Sequence, residues 1–263
     1  MSQPSGSGAG RFLLSGRVAL VTGGNGGLGR AIALGLREAG ASVAVTGRDP
    51  AKNAAIAAEL GGASRAFAVD VRDEEAVSQM IGGVVEQLGR LDILVCCAGD
   101  FAGGPALDLS LADWERVLGS HLTGTFLCAK HAAREMAKGG EGGKIVAIGS
   151  MYSLFGPPRY ANYAAAKSGI LGLTRALAVE LAMHRIQVNA ILPGWFETAL
   201  TGTSRHTEWG ERIRRKTPAA RWGEPEDLVG AAIFLSSRAS DFVTGVALPV
   251  DGGYAVADRL LPE

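Results

Sequence analysis

The chain has 263 residues, 47% of them apolar and 20% charged, with a slightly positive mean hydropathy, so it is no disordered polymer and can bury a substantial core. Lysine plus arginine equals aspartate plus glutamate at 26 each, which gives no basic surplus for nucleic acid or an anionic membrane. No apolar run reaches the ~18 residues of a membrane span, and three cysteines, Cys96, Cys97 and Cys128, form neither a disulfide framework nor a C-x-x-C metal pattern. The expected partner is a small molecule or a second copy of the chain, and the expected location is the reducing cytoplasm.

In chain order, residues 1–10 are polar and rich in glycine and serine and read as a flexible tail. One domain is expected over 11–263. Short, nearly continuous apolar runs then alternate with amphipathic ones. The strand-like runs are "RVALVTG" (17–23), "SVAVTG" (42–47), "AFAVDV" (66–71), "LDILVCCAG" (91–99), "GKIVAIGS" (143–150), "IQVNAILPG" (186–194) and "GVALPVDGG" (245–253). Helical stretches lie between them, at 28–40, 74–89 and 156–182. Strands apolar on both faces, alternating with helices, predict an α/β fold: a single-domain Rossmann-type doubly wound parallel sheet of about seven strands with helices on both faces. Two stretches break the rhythm, 100–114 as a long connection and 195–227 as a longer polar excursion carrying Trp195 and Trp209. Its part at about 195–220 is expected to form the substrate loop.

The first strand runs into a glycine-rich turn, "TGGNGGLG". Gly23 permits a tight turn, Gly27 lets backbone approach a phosphate, and Gly29 lets the helix pack close; the helix N-terminus then offers free N–H groups to an anion. The second strand ends at Gly47 and Arg48. An arginine there pairs with the 2′-phosphate of NADP, where NAD sites usually carry a carboxylate. NADP(H) is therefore favoured over NAD(H), although Asp49 follows at once and Arg48 also reads as a solvated loop charge. Asp70, after the third strand, either accepts a hydrogen bond from an adenine amino group or caps the helix that begins near Asp73.

Three of the four tyrosines, Tyr152, Tyr160 and Tyr163, crowd into "GSMYSLFGPPRYANYAAAKSG". The helix expected over 156–182 takes Pro157 and Pro158 in its first turn. Residues four apart share a helix face, so Tyr163 is the tyrosine that meets Lys167. A phenol titrates near pH ~10, and a neighbouring ammonium lowers that value. Ser150, at the end of the preceding strand, is placed to hold a substrate oxygen that Tyr163 protonates or deprotonates.

These residues together resemble the short-chain dehydrogenase/reductase family, from about Arg11 to Tyr254. Thr22-Gly23-x-x-x-Gly27-x-Gly29 matches its cofactor loop, and Ser150, Tyr163 and Lys167 match its serine, tyrosine and lysine. "PGWFET" (193–198) resembles its nicotinamide-side segment, and "RWGEPEDLVGAAIFLSSRASDFVTGVALPVDGG" its last helix and strand. The resemblance implies hydride transfer between nicotinamide and an alcohol or ketone carbon, with Tyr163 as general acid or base. It implies cofactor contacts from Gly23, Asn25, Gly27, Leu28, Gly29, Arg48, Asp70, Val71, Ala98, Gly99, Tyr163, Lys167, Pro193, Gly194, Phe196 and Thr198. Two departures stand out. Cys96-Cys97-Ala98-Gly99 replaces Asn-Asn-Ala-Gly. His121 takes the place of an asparagine that holds a relay water, and as an imidazole it either titrates near neutrality in that relay or fills space.

The wording also resembles the gluconate 5-dehydrogenase and 2-deoxygluconate 3-dehydrogenase branch, which implies a polyol, sugar acid or similar small oxo compound. Arg159, Arg205, Arg212, Arg214 and Arg215 would supply cations for an acid, unless they are solvated. A 3-oxoacyl carrier-protein reductase or general carbonyl reductase is the alternative, and a non-catalytic redox sensor another. Family members imply a homo-oligomer, commonly a tetramer. His131, His184 and His206 show no metal-ligand spacing, so no metal is expected.

Overall fold

A computed structural model of the chain describes residues 8–198 and 201–258. Seven strands form one sheet, β1 (Val18–Thr22), β2 (Ser42–Gly47), β3 (Arg65–Ala68), β4 (Ile93–Cys96), β5 (Gly143–Ile148), β6 (Ile186–Pro193) and β7 (Ala247–Val250). Their order is β3-β2-β1-β4-β5-β6-β7, and every neighbouring pair is parallel. The helices are α1 (Gly27–Glu38), α2 (Pro50–Leu60), α3 (Glu74–Leu88), α4 (Leu111–Leu118), α5 (Gly124–Gly139), α6 (Ala161–Glu180), α7 (Glu208–Lys216) and α8 (Val229–Ser236).

The unbroken apolar strands have the expected cause. β1 is buried along its whole length, because each of its faces meets a separate core. One core joins Leu20, Leu94 and Ile145 to Val77, Ile81 and Ala132 of α3 and α5. The other joins Val21, Val95 and Val146 to Ile32, Leu36 and Leu235 of α1 and α8. Pro249 is tolerated in β7 because that strand lies at the sheet edge.

Several boundaries differ from the sequence reading. The third strand ends at Ala68, so Val69–Val71 already form the exit turn. The connection after β4 stops at Ser110, whose hydroxyl caps α4 by accepting from Asp113 N at 3.1 Å. The helix expected from 156 starts at Ala161. Pro158 disfavours helical geometry at Pro157, and Arg159 then adopts φ 70°, so the prolines lead into the helix from outside it. The tail expected over 1–10 falls mostly outside the described residues, while Gly8–Phe12 form a 3-10 turn.

Candidate active site

Strand order reverses direction at β1, which lies between β2 and β4. Open α/β sheets leave a crevice at the carboxyl ends of such strands. A cavity of about 360 Å³ lies there, lined by Gly23 and Asn25 after β1, Arg48 and Lys52 after β2, Asp70 and Val71 after β3, and Ala98 and Gly99 after β4.

The glycine turn works largely as read. Gly23 takes φ 66°, and a Cβ there would lie 2.9 Å from Ala98 Cα, so the turn closes onto the end of β4. A Cβ on Gly29 would meet the Gly23 carbonyl at 2.3 Å, so this glycine seats α1 on the loop itself. Leu28, in the first turn of α1, packs against the core on that side of the sheet. Gly26 precedes α1 without any side-chain cap, so the helix presents uncapped N–H groups, and a Cβ on Gly26 would meet nothing within 4 Å. The cradle thus fits an anionic pyrophosphate. Gly27, at φ 49°, lies near Thr198, and a Cβ on it would lie 3.8 Å from the Thr198 Cβ.

Of three anchors of this cradle, Asn53 and Lys52 escaped the sequence reading, and Thr22 was read only as part of the loop motif. Thr22 Oγ1 accepts from Cys97 N and Ala98 N, both at 3.1 Å, locking β1 to β4. Asn53, buried in α2, accepts from Asn25 Nδ2 at 2.7 Å and donates to Gly47 O and Phe67 O, both at 2.9 Å. Lys52 adds a second cation beside Arg48. The lone asparagine of an Ala-rich helix was the available signal for Asn53. Asp49 accepts from Ala51 N at 2.9 Å and Lys52 N at 3.2 Å, so its carboxylate caps α2. Arg48 reaches Asp100 Oδ2 only at 3.5 Å. Asp70 does not cap α3, because Asp73 does, accepting from Ala76 N at 3.1 Å. Instead Asp70 accepts from Arg72 N and Nε, each at 3.0 Å, and the guanidinium holds its carboxyl below the ordinary value.

Ser150, Tyr163 and Lys167 converge beside this cavity. Ser150 follows β5, is 6% exposed, and accepts from Tyr152 N at 3.1 Å. Ser153 braces it: its hydroxyl accepts from Ser150 N at 3.3 Å and donates to Lys167 O at 2.7 Å. Asn162, wholly buried, ties the start of α6 to α4 through Asp113 O at 3.2 Å and accepts from Tyr163 N at 2.8 Å. Tyr163 and Lys167 share a face of α6, with Nζ 5.5 Å from the ring centroid.

The electrostatics correct one expectation. Burial pushes the Tyr163 phenol up to about 12, and a hydrogen bond with Ser150 opposes that rise. Lys167 does not depress it in this arrangement, because its ammonium donates to Ile148 O at 2.6 Å. Burial in turn brings Lys167 down to about 8.

A family model described as enoyl-(acyl carrier protein) reductase matches residues 22–255. The chain is 39% identical over 245 residues to 2-dehydro-3-deoxy-D-gluconate 5-dehydrogenase of Escherichia coli, covering 92% of this chain and 97% of the relative. It is 38% identical over 255 residues to gluconate 5-dehydrogenase of Gluconobacter oxydans, covering 94% and 97%. Among solved structures, a gluconate 5-dehydrogenase from Burkholderia cenocepacia in complex with NADP and tartrate superposes with a TM-score of 0.90 at 38% identity, covering 94% of this chain and 98% of that one.

The chain belongs to the short-chain dehydrogenase/reductase family. It is an oxidoreductase acting on CH–OH groups, as the sequence resemblance implied.

Within this short-chain dehydrogenase, His121 sits on a π-helical turn, Gly119–Thr123, that joins α4 to α5. Its Nε2–H donates to Asp100 O at 2.7 Å, and its ring meets Tyr163 edge-on at 5.2 Å. Gly99 makes room for the ring, since a Cβ there would lie 2.0 Å from His121 Cε1. Burial, aided by the Lys167 ammonium, lowers its pKa to about 3. The imidazole therefore stays neutral near pH 7 and does not titrate there, with Nδ1 buried and unpartnered. Cys96 and Cys97 are free thiols raised by burial, and Thr22 supplies the brace that asparagines would give.

At the nicotinamide-side segment, Pro193 closes β6 and Gly194 N donates to Val250 O at 3.0 Å. Phe196 is 5% exposed, and a Cβ on Gly223 would lie 2.7 Å from its ring, so the ring belongs to the core. Thr198 hydrogen-bonds with Thr201. The excursion holds α7, and the other tyrosines become walls. Tyr152 meets Tyr163 at 6.3 Å and Trp195 at 5.8 Å, while Tyr160 packs on Phe101 at 5.2 Å. Of the five arginines expected at the mouth, Arg205 pairs with Glu197, Arg212 with Glu208, and Arg214 and Arg215 with Glu211. Arg159 is exposed. No described helix is long and apolar enough to cross a membrane, and no described cluster of His, Cys, Asp and Glu could hold a metal ion.

Proposed function

We propose that the enzyme interconverts a secondary alcohol and a ketone on a small polyhydroxylated acid, using NADP(H) in preference to NAD(H). The observation that carries this reading is the convergence of Ser150, Tyr163 and Lys167 beside the uncapped glycine turn. When bound, the nicotinamide supplies the hydride for reduction and takes it up in oxidation. Ser150 holds the carbonyl oxygen. Tyr163 gives its proton to that oxygen in reduction and takes it back in oxidation. A phenol held near 12 keeps its proton until an alkoxide, far more basic, develops beside it. The Lys167 ammonium, held by Ile148 O, would hold the nicotinamide ribose of the bound cofactor. His121, a neutral acceptor at Nδ1 beside Tyr163, positions the proton path without being charged.

Arg48 and Lys52, with Asp49 turned to cap α2, support NADP through its 2′-phosphate. The names of the relatives, and the tartrate beside NADP in the Burkholderia structure, support an acid rather than an acyl chain. The reading includes a cytoplasmic homotetramer, with the cofactor contacts assigned above. The test is NADPH-dependent reduction of 5-keto-D-gluconate. Tyr163→Phe should abolish turnover and keep NADPH affinity; a variant with near-parental activity would overturn the assignment. A parent enzyme that reduces 3-oxoacyl thioesters but no sugar acid would favour the carrier-protein alternative.

A further inference from the structure

Over 205–216 the excursion carries four arginines and one lysine, and the fold sorts them. Arg205, Arg212, Arg214 and Arg215 are exposed and each meets a glutamate. Lys216 alone turns inward and is half-buried. Among the described residues it meets no carboxylate. Its Nζ lies 3.9 Å from the Tyr254 ring centroid and 5.3 Å from that of Phe155, two rings stacked 6.1 Å apart. Ring faces hold an ammonium in place without neutralising it. The charge and its N–H donors remain available for an anion.

The seat is rigid and continuous with the catalytic wall. Trp222 Nε1 donates to Gly210 O at 3.1 Å, and Trp209 packs on Trp195 at 4.7 Å, which ties α7 to the segment that follows β6. Phe155 meets Tyr152 at 5.6 Å, and Tyr152 meets Tyr163. Trp195, between Tyr152 and Tyr254, carries a buried Nε1 with no partner. A cation thus stands at the far end of an aromatic wall that begins at the proton donor, with a free donor midway along it.

We propose that Lys216 is the specificity residue for the substrate's carboxylate, selecting an anionic hydroxy or oxo acid over the neutral sugar of equal length. The inference rests on the reading of the enzyme as a sugar-acid oxidoreductase. Lys216 takes the carboxylate end while Tyr163 and Ser150 take the oxygen to be reduced. Charge-assisted hydrogen bonds of this kind favour the charged substrate by about 10- to 100-fold.

The experiment compares 5-keto-D-gluconate with L-sorbose, the same chain bearing a hydroxymethyl group where the acid has its carboxylate. Lys216→Met should raise KM for the acid by about 10- to 100-fold with kcat within about threefold, and change kcat/KM for L-sorbose by less than about threefold. Lys216→Arg should restore most of the preference. NADPH affinity, measured on each variant, should stay at the parental value. Lys216→Gln replaces the methionine variant if that affinity falls. An unchanged KM for the acid, or equal losses on both substrates, overturns the role of Lys216 and leaves the functional reading standing. A parent enzyme that reduces neither compound overturns the functional reading, and this inference with it.

Discussion

Substituting Gly99 by alanine tests whether His121 is held as the geometry indicates. The new Cβ would lie 2.0 Å from His121 Cε1, 2.5 Å from Nδ1 and 2.7 Å from Nε2. No carbon is tolerated at those distances, so the ring must move. It is 7% exposed, wedged edge-on to Tyr163, and tied by Nε2 to Asp100 O, so it cannot move and keep that bond. Overpacking a core costs ~1–3 kcal/mol, and leaving the part-buried Asp100 carbonyl without its donor costs up to ~1–3 kcal/mol more. The expected loss is therefore about 2–6 kcal/mol, or a Tm drop of roughly 4–24 °C in a chain of this size. Chemical denaturation and a thermal scan read it directly. The double variant Gly99→Ala/His121→Ala should be more stable than the sum of its single changes by at least ~1 kcal/mol, since removing the ring relieves the clash. A Gly99→Ala protein as stable as the parent, or a strictly additive double variant, would refute the account of this contact.

Other outcomes follow from the same geometry. Lys167 at about 8 and Tyr163 at about 12 place the alkaline fall of kcat/KM for reduction near pH 8, with activity full below it as the ammonium stays charged; a limb absent up to pH 10 would contradict that assignment. His121 has a folded pKa of about 3 against ~6.5 unfolded, so the unfolded chain binds more protons between those values and stability falls as pH drops from about 6.5 towards 3. His121→Asn should flatten part of that fall in an acid titration of stability and leave the pH–rate profile near neutrality unshifted, whereas an identical acid titration would show the imidazole to be exposed. Arg48→Ala should weaken NADP binding by about 10-fold or more and NAD binding hardly at all; equal losses would count against the 2′-phosphate role. Trp222→Phe strands the Gly210 carbonyl and should cost about 1–3 kcal/mol while raising substrate KM; unchanged stability and KM would mean that α7 does not depend on this bond.

The sequence by itself determined the parallel sheet, because only strands covered on both sides can carry unbroken apolar runs, as Val18–Val21 of β1 and Ile145–Ile148 of β5 do. It also determined the pairing of Tyr163 with Lys167, since helical spacing is local and survives any tertiary arrangement. The glycine turn was legible for the same reason. What depends on burial or on partners distant in the chain was not legible. The acidity of Tyr163 and the neutrality of His121 follow from desolvation, which no spacing reveals. The role of Phe196 followed from its packing on Gly223, 27 residues away in the chain. Five cations over 205–216 of the excursion look alike as letters. Tertiary structure alone paired four with glutamates and turned Lys216 onto two aromatic faces, because an ion pair or a ring seat needs a neighbour that the fold, and not the local sequence, supplies.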